Sequence, residues 1–553
     1  MCDEIPRLAE ARRGFSVIYR GRTLLSTRDP IGQAERAADA AHKVGRTLYF
    51  CPSPLLGYGL SRILDTMSSD SALLCVEYDQ VLLELSRKEI SPEILGDPRF
   101  CLIGTGDPMA LCGFVRSRWG ARAFRRVEVL RTGGGWQLFP QIYGNLTDSL
   151  KRSIAVDWGN AITMVKLGRR YARNMVRNLS VIPGSGTAAE LDFGDAPTLV
   201  LGAGPSLDTM FRALEAEFSG AASPAVRSFR ILCVDTALGA LLERGIIADA
   251  VIALEAQQWN LRDFIGAAGE KIPLAMDLSA LPATAGILKG GTYLFFTPWT
   301  VLRFFDRLRA AGILPPELPP LGSVGLSAAA LAAKITRGPV VTAGLDFSFT
   351  LDAYHAKSTP GSLDRLRSQT RLAGLINPGP VFRKGVFTAA AKDGTAVLSD
   401  PALRSYRDLF EEEFSRENRM TDTVSGGLPL GIPAVGWDEA WKILTRGTQI
   451  SAALPRTETP TAGASRGAVA DFIRQELDML RELRDILSGK AGSVPEKLGG
   501  LLDACDYLWA HFPESAGAEG KRPESTDISF LKRVRAEIDP FITLFERSLK
   551  TVS

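Results

Sequence analysis

Several short stretches of the chain combine residue types that chemistry needs. GAGPSLD at 202 to 208 ends an apolar run at Gly202, Gly204, Pro205 and Ser206, and a helical pattern, LDTMFRALEAEF, follows with Asp208 in its first turn. An apolar strand entering a G-x-G turn and then a helix is a geometry in which backbone N–H groups hold phosphate. Asp235 ends the apolar run FRILCVD and Glu255 ends IIADAVIALE, so two carboxylates follow at successive strand ends. In a doubly wound sheet the strand C-termini line the ligand crevice, where acids reach ribose or base hydroxyls. Gly322 and Ser323 precede the small-residue helix VGLSAAALAAKI, and Ser323 is placed to cap it beside an anion. Asp346 ends PVVTAGLD, and His355 follows nine residues later, close enough for the two to meet across the loop. A histidine of near-neutral pKa beside such a crevice can deprotonate an acceptor hydroxyl. A structural or solvent-facing loop histidine is the competing reading.

These residues need a sheet to position them, and the pattern supplies one. From Thr198 onward apolar runs alternate with helical stretches, continuing through KIPLAMDLS and GTYLFFTP, whose Asp277 and Thr297 also stand at strand ends. Upstream, TLYFCP at 47 to 52, a helical stretch from Leu60 and ALLCVEYD form a second strand–helix–strand unit with Glu77 just past its second strand. Its first turn carries Pro52 and Pro54 with only Gly57 and Gly59, a degenerate dinucleotide fingerprint to which no ligand is assigned. Between the two sheets, Asn145 to Leu179 reads as helix, with Arg169, Arg170, Arg173 and Arg177 sharing a face that suits solvent, an inter-domain contact or an anion. Residues 357 to 394 read as an irregular insert in lid position. After a linker at 455 to 467 come three helical segments whose stripes, such as Ile473, Leu477 and Leu480, suit a core or a docking face; Pro540 is expected to kink the last. The expected organisation is a Rossmann-like N-terminal domain at 1–144, a central doubly wound α/β domain at 145–455 and an α-helical domain at 456–553.

Composition narrows the classes. At 553 residues the chain exceeds the ~250–300 that one hydrophobic core serves. Hydrophobic residues at 45% and charged residues at 23% place it among globular proteins, and a net charge of +3 gives no bulk attraction to nucleic acid. Seven scattered cysteines without a C-x-x-C pair and an acidic N-terminus fit a reduced, cytoplasmic protein with no membrane insertion. Three histidines leave little for a histidine-rich metal site. The sequence lacks G-x-x-x-x-G-K-[ST], H-E-x-x-H and G-x-S-x-G, which weighs against P-loop ATPases, zincins and α/β-hydrolases.

GAGPSLD at 202 to 208, VDTALGALLERGIIADAVIALE at 234 to 255, GSVGLSAAALA at 322 to 332 and GLDFSFTLDAYH at 344 to 355 together resemble the central domain of Maf-type motility accessory factors. That domain is shared with the MptE-like 6-hydroxymethylpterin diphosphokinases. The resemblance covers about residues 145 to 435. It implies a sialyltransferase-like α/β domain that transfers a nonulosonic acid from a CMP donor to flagellin Ser or Thr hydroxyls. On this sequence it implies that Gly202, Gly204, Pro205, Ser206, Asp235, Glu255, Gly322 and Ser323 hold the nucleotide sugar, and that His355, with Asp346, performs catalysis. Glu255 stands where an aspartate is more usual. Any Mg²⁺ would fall to Asp235, Glu255 and Asp346, as the alternative MptE-like reading with ATP requires. A non-catalytic flagellar assembly or binding factor is the third reading.

Overall fold

The computed structural model describes residues 5–553 except 121, 220–225, 373, 375–377, 447–449, 452–463, 491–494 and 516–522. It forms two compact units, Met1–Lys166 with Ala510–Arg522 and Leu167–Trp509 with Pro523–Ser553.

In the first unit a four-stranded sheet has the order Phe100–Ile103, Ala72–Val76, Thr47–Pro52, Arg126–Val129, parallel throughout. Alternate residues of its strands serve opposite faces. Tyr49, Cys51, Leu73 and Cys75 pack with Leu60, Ile63 and Leu64, while Leu48, Phe50, Leu74 and Val76 pack with Leu111, Val115 and Leu146. Burial on both faces explains why these strands read as unbroken apolar runs. A three-stranded antiparallel sheet, Arg7–Glu10, Phe15–Tyr19 and Arg22–Thr23, precedes it; its first and last strands are largely exposed and carry no such run. Glu77 is buried and satisfied by Ser53 Oγ at 2.5 Å and by Tyr143 OH at 2.8 Å. Its carboxylate is occupied within the unit, in accord with the missing fingerprint.

The second unit is built on a nine-stranded sheet ordered Ala434–Val435, Met420–Thr423, Val340–Ala343, Thr198–Leu201, Arg230–Val234, Ala250–Ala253, Leu274–Asp277, Thr292–Phe295, Gly186–Thr187. Every pairing is parallel. After the edge strand Gly186–Thr187 the chain enters the middle at Thr198, winds one way as far as Phe295 beside that edge strand, then returns to the other side of Thr198–Leu201 at Val340. The order therefore reverses between Thr198–Leu201 and Val340–Ala343, the switch point at which such sheets open a crevice. The helix Pro140–Asn178 is fixed to the sheet by two asparagines one turn apart. Asn174 Nδ2 donates to the Ala256 and Ser279 carbonyls, and Asn178 Nδ2 to those of Leu278 and Ala280. The arginine face on the same helix meets the C-terminal helix through Arg169 and Glu537 at 2.8 Å.

The helices Arg466–Leu487, Pro495–Ala504 and Ile528–Val552 belong to this unit and do not form a third one. Their apolar stripes close over the helix Arg303–Ala310, where the Phe304 ring lies 6.0 Å from Phe472 and 4.7 Å from Tyr507. Asp506 caps that helix, accepting from the Arg303 and Phe304 amides, and buried Glu476 binds Arg307 and the Tyr507 hydroxyl. No sequence period could reveal that these stripes face the sheet domain, because the partner lies about 170 positions upstream in the chain. Pro540 lies within the last helix, which continues unbroken to Val552. Residues 357 to 394 are more regular than expected: they contain the helices Pro360–Ser368 and Pro378–Val381, and Phe387–Ala390 pairs with Ala396–Ser399. Most of the anticipated linker at 455 to 467 falls outside the described residues. Among the described residues no helix is long and apolar enough to cross a membrane.

Burial raises Glu77 from an ordinary 4.5 to about 7, so the folded first unit holds a proton that the unfolded chain has released. Its stability should therefore fall as pH rises from about 4.5 to about 7, since the native state binds more protons in that window. Denaturant titrations of wild type and Glu77→Gln across that range should show a shallower pH slope in the variant. Equal slopes would contradict the assignment.

Candidate functional site

At the switch point Thr198–Leu201 and Val340–Ala343 run in register, Leu201 opposite Ala343, and both strands end in glycine. Gly202 and Gly344 cross so closely that a Cβ on Gly202 would lie 2.4 Å from the Gly344 carbonyl oxygen. The Gly202 amide donates to Ala343 and the Gly204 amide to Gly344, both at 2.8 Å. Asp346, buried just beyond, accepts from the Ser206 amide at 2.7 Å and the Ser206 hydroxyl at 2.5 Å. Pro205 has no N–H to offer. The expected phosphate turn thus directs its Gly202, Gly204 and Ser206 amides into the neighbouring strand end. Those residues shape the crevice floor and do not supply its donors.

Asp346 is enclosed on two further sides: a Cβ on Gly204 would come within 2.5 Å of its carboxyl carbon, and one on Gly427 within 2.6 Å of its Cα. Burial pushes this carboxyl up, the nearby Lys392 ammonium opposes the shift, and Asp422 adds to it. Lys392 and Asp422 are a buried ion pair, and Thr342 donates to Asp422 at 2.8 Å.

The cleft above this floor has a volume of about 150 Å³ and is lined in part by Gly202, Gly204, Thr236, Ser323, Asp346 and His355. Ser323 stands at the N-cap of the helix Val324–Ile335, but its hydroxyl makes no cap bond. That hydroxyl and the first-turn amides, which no helix can satisfy internally, face the cleft at Ser323, Val324 and Gly325. This helix N-terminus is where an anion fits. The helix can lie deep against the sheet because nearly all its residues are small and buried.

His355 also lines the cleft, its ring edge-on to Tyr354 at 4.9 Å. The Ala356 amide donates to the Ala203 carbonyl at 3.0 Å and the Lys357 amide to Asp208 at 3.1 Å, which ties this loop to the glycine turn. Burial, then Arg262 and Arg365, push His355 down to about 4, so the ring is neutral at physiological pH. The expected meeting of His355 with Asp346 does not occur, because Ser206 already occupies Asp346; among the described residues no hydrogen bond reaches the imidazole.

Asp235 lies beneath the cleft wall, bound by Asn260 Nδ2 at 2.7 Å and by the Thr236 amide at 2.8 Å. Burial raises it to about 6, and the neighbouring Thr236 lines the cleft in its place. Glu255 is exposed and accepts from the Gln257 amide, and Gly322 is exposed with a left-handed φ of 71°. Asp235, Glu255 and Asp346 are not gathered: among the described residues no three His, Cys, Asp or Glu side chains are grouped to hold a metal ion. Asp277 repeats the pattern, taking bonds from Ser279 and Thr297. Some of these acids' partners are neighbours in sequence, Thr236, Gln257 and Ser279, whereas Asn260, Thr297 and Ser206 come from other loops. Thr236, Tyr354 and the Lys392–Asp422 pair were missed. Thr236 and Tyr354 adjoin flagged residues, whereas nothing near Lys392 in sequence marks it.

Residues 173–352 match the family described as 6-hydroxymethylpterin diphosphokinase MptE-like, a span that holds the glycine turn, Ser323 and Asp346 but stops short of His355. An uncharacterized protein of Treponema pallidum (strain Nichols) is 29% identical over 561 residues, covering 98% of this chain and 95% of that protein. The solved Maf glycosyltransferase from Magnetospirillum magneticum AMB-1 aligns with a TM-score of 0.52 over 99% of this chain and 92% of its own, at 13% identity. The likeness to that structure is one of fold. The Maf and MptE-like relationships suggested by the four motifs both recur in these matches.

The enclosure of Asp346 yields a paired test. Gly204→Ala should destabilise the chain by about 1–3 kcal/mol through overpacking. Gly239→Ala, on a helix where an added Cβ meets nothing within 4 Å, should stabilise it by roughly 0.5–1 kcal/mol. Denaturant unfolding separates the two, and a neutral Gly204→Ala would refute the close packing.

Proposed function

We propose that the chain is a Maf-like glycosyltransferase that moves a nonulosonic acid from a CMP donor to Ser or Thr hydroxyls of flagellin, acting in the cytoplasm. The observation that carries this reading is one cleft, at the switch point, lined both by the start of the helix Val324–Ile335 and by a neutral imidazole. The donor phosphate sits at Ser323 to Gly325, and His355 takes the proton of the acceptor hydroxyl. The hydroxyl oxygen bonds to the anomeric carbon as the bond from that carbon to the phosphate oxygen breaks, and CMP departs with the electron pair. Attack opposite the leaving group inverts the anomeric centre. Charge growing on the phosphate is met by the helix amides. Thr236 borders the nucleotide, Asp235 holds Thr236 in place, and Gly202, Gly204, Pro205 and Ser206 form the floor with Asp346 as their anchor.

The MptE-like match supports a second reading, transfer of diphosphate from ATP to a pterin alcohol with Mg²⁺. The separation of Asp235, Glu255 and Asp346 leaves that reading without the metal ligands first considered for it.

His355→Ala should lower transfer to flagellin by roughly 10²–10⁴-fold, as loss of a general base does, with CMP binding by calorimetry little changed. Retained transfer, or loss of CMP binding, would refute the role. Because a neutral ring is required, kcat/KM should fall as pH drops through about 4. An anionic donor offsets Arg262 and Arg365 and raises the ring's proton affinity, so the acid limb of kcat should lie at higher pH than that of kcat/KM. Magnesium-dependent consumption of ATP with a pterin alcohol, and none of CMP-sugar, would transfer the assignment to the second reading. Binding with neither turnover would favour a flagellar assembly factor.

A further inference from the structure

Within 351–384, of which 373 and 375–377 lie outside the described residues, two contacts reach the cleft residues His355 and Tyr354. Ser362 Oγ donates to the His355 carbonyl at 3.4 Å, and Arg383 donates to the Tyr354 hydroxyl at 3.4 Å. The segment carries Lys357, Arg365, Arg367, Arg371, Arg383 and Lys384 against only Asp352 and Asp364, in a chain whose whole net charge is +3. These six cations against two acids stand in the segment that bears the candidate base. Among the described residues Arg367, Arg371 and Lys384 pair with no acid. The helix Pro360–Ser368 buries none of its nine residues, and a helix of that length is marginal without packing. Leu366, Leu372 and Phe382 are 54%, 97% and 81% exposed. Three cations without an acid partner among the described residues, close in sequence to exposed leucine and phenylalanine side chains, form an unfilled half of an interface.

We propose that this segment docks an acidic stretch bearing apolar side chains on the protein that receives the transferred group. The charge calls for carboxylates, and the exposed leucines and phenylalanine call for apolar side chains, which a nucleic-acid backbone does not supply. Its position beside His355 means that a chain lying across it would present a nearby hydroxyl to the cleft. The inference rests on the transferase reading only for the identity of the partner.

The test uses the full chain and two sets of substitutions, Arg367→Glu with Arg371→Glu and Lys384→Glu, and separately Leu366→Ser with Phe382→Ser. None of these residues lines the cleft, so donor hydrolysis by the variants should match wild type, and an unchanged melting curve confirms folding. Fluorescence anisotropy with a labelled peptide of alternating glutamate and leucine, and a lysine–leucine control, reads docking without transfer. Wild type should prefer the acidic peptide, each set should weaken it on the order of tenfold, and KM for flagellin should rise similarly at unchanged kcat. Peptide binding lost in the variants, in a protein that never modifies flagellin, would uphold the docking surface and sink the transferase reading. Equal peptide binding and equal KM in all three proteins would overturn the docking surface and leave the transferase intact. Binding to phosphatidylglycerol vesicles that the same substitutions abolish, with no peptide binding, would also overturn it.

Discussion

The carboxylate of Asp346, held by the amide and hydroxyl of Ser206, fastens together the ends of the two strands between which the large sheet reverses direction. The fit leaves no room: Gly204 and Gly427 approach because they lack a Cβ, and Gly202 and Gly344 cross for the same reason. A buried carboxylate is tolerated here because it is hydrogen-bonded and because the Lys392 charge lies nearby. Everything that lines the cleft inherits its position from this junction. The glycine turn is fixed by it, the helix at Ser323 packs behind it, and the His355 loop is tied to the turn at Ala203.

The same device recurs along the sheet edge. Asp235 and Asp277 also end strands, also lie buried, and also bind hydroxyls or amides of adjoining loops. Parallel strands leave loop backbones at their C-terminal ends, and a buried acid satisfies several loop donors at once. Such acids therefore tie the loops together at the C-terminal edge of the sheet. Two cleft residues differ from them: among the described residues the Ser323 hydroxyl makes no cap bond and no hydrogen bond reaches the His355 ring.

The C-terminal helices show a related economy. Glu476, Asp506 and Tyr507 fasten them to the helix Arg303–Ala310, so the bundle is part of the sheet unit. Outside that packing stands the helix Pro360–Ser368, which has no fully buried residue.

The sequence by itself determined the alternation of strand and helix, the parallel sheets, the G-x-G turn, the position of Ser323 at a helix start and of His355 beyond a strand end. Those follow from local rules: side-chain period, glycine at turns, and small residues where a helix lies close. Which of these groups are occupied depends on folding. Asp346 is taken by Ser206, 140 positions away, Asn178 reaches carbonyls 100 positions on, and Arg307 finds Glu476 across 169. Whether a polar group is a ligand donor or a structural tie depends on desolvation and on partners brought close by folding, and neither is encoded in its local spacing.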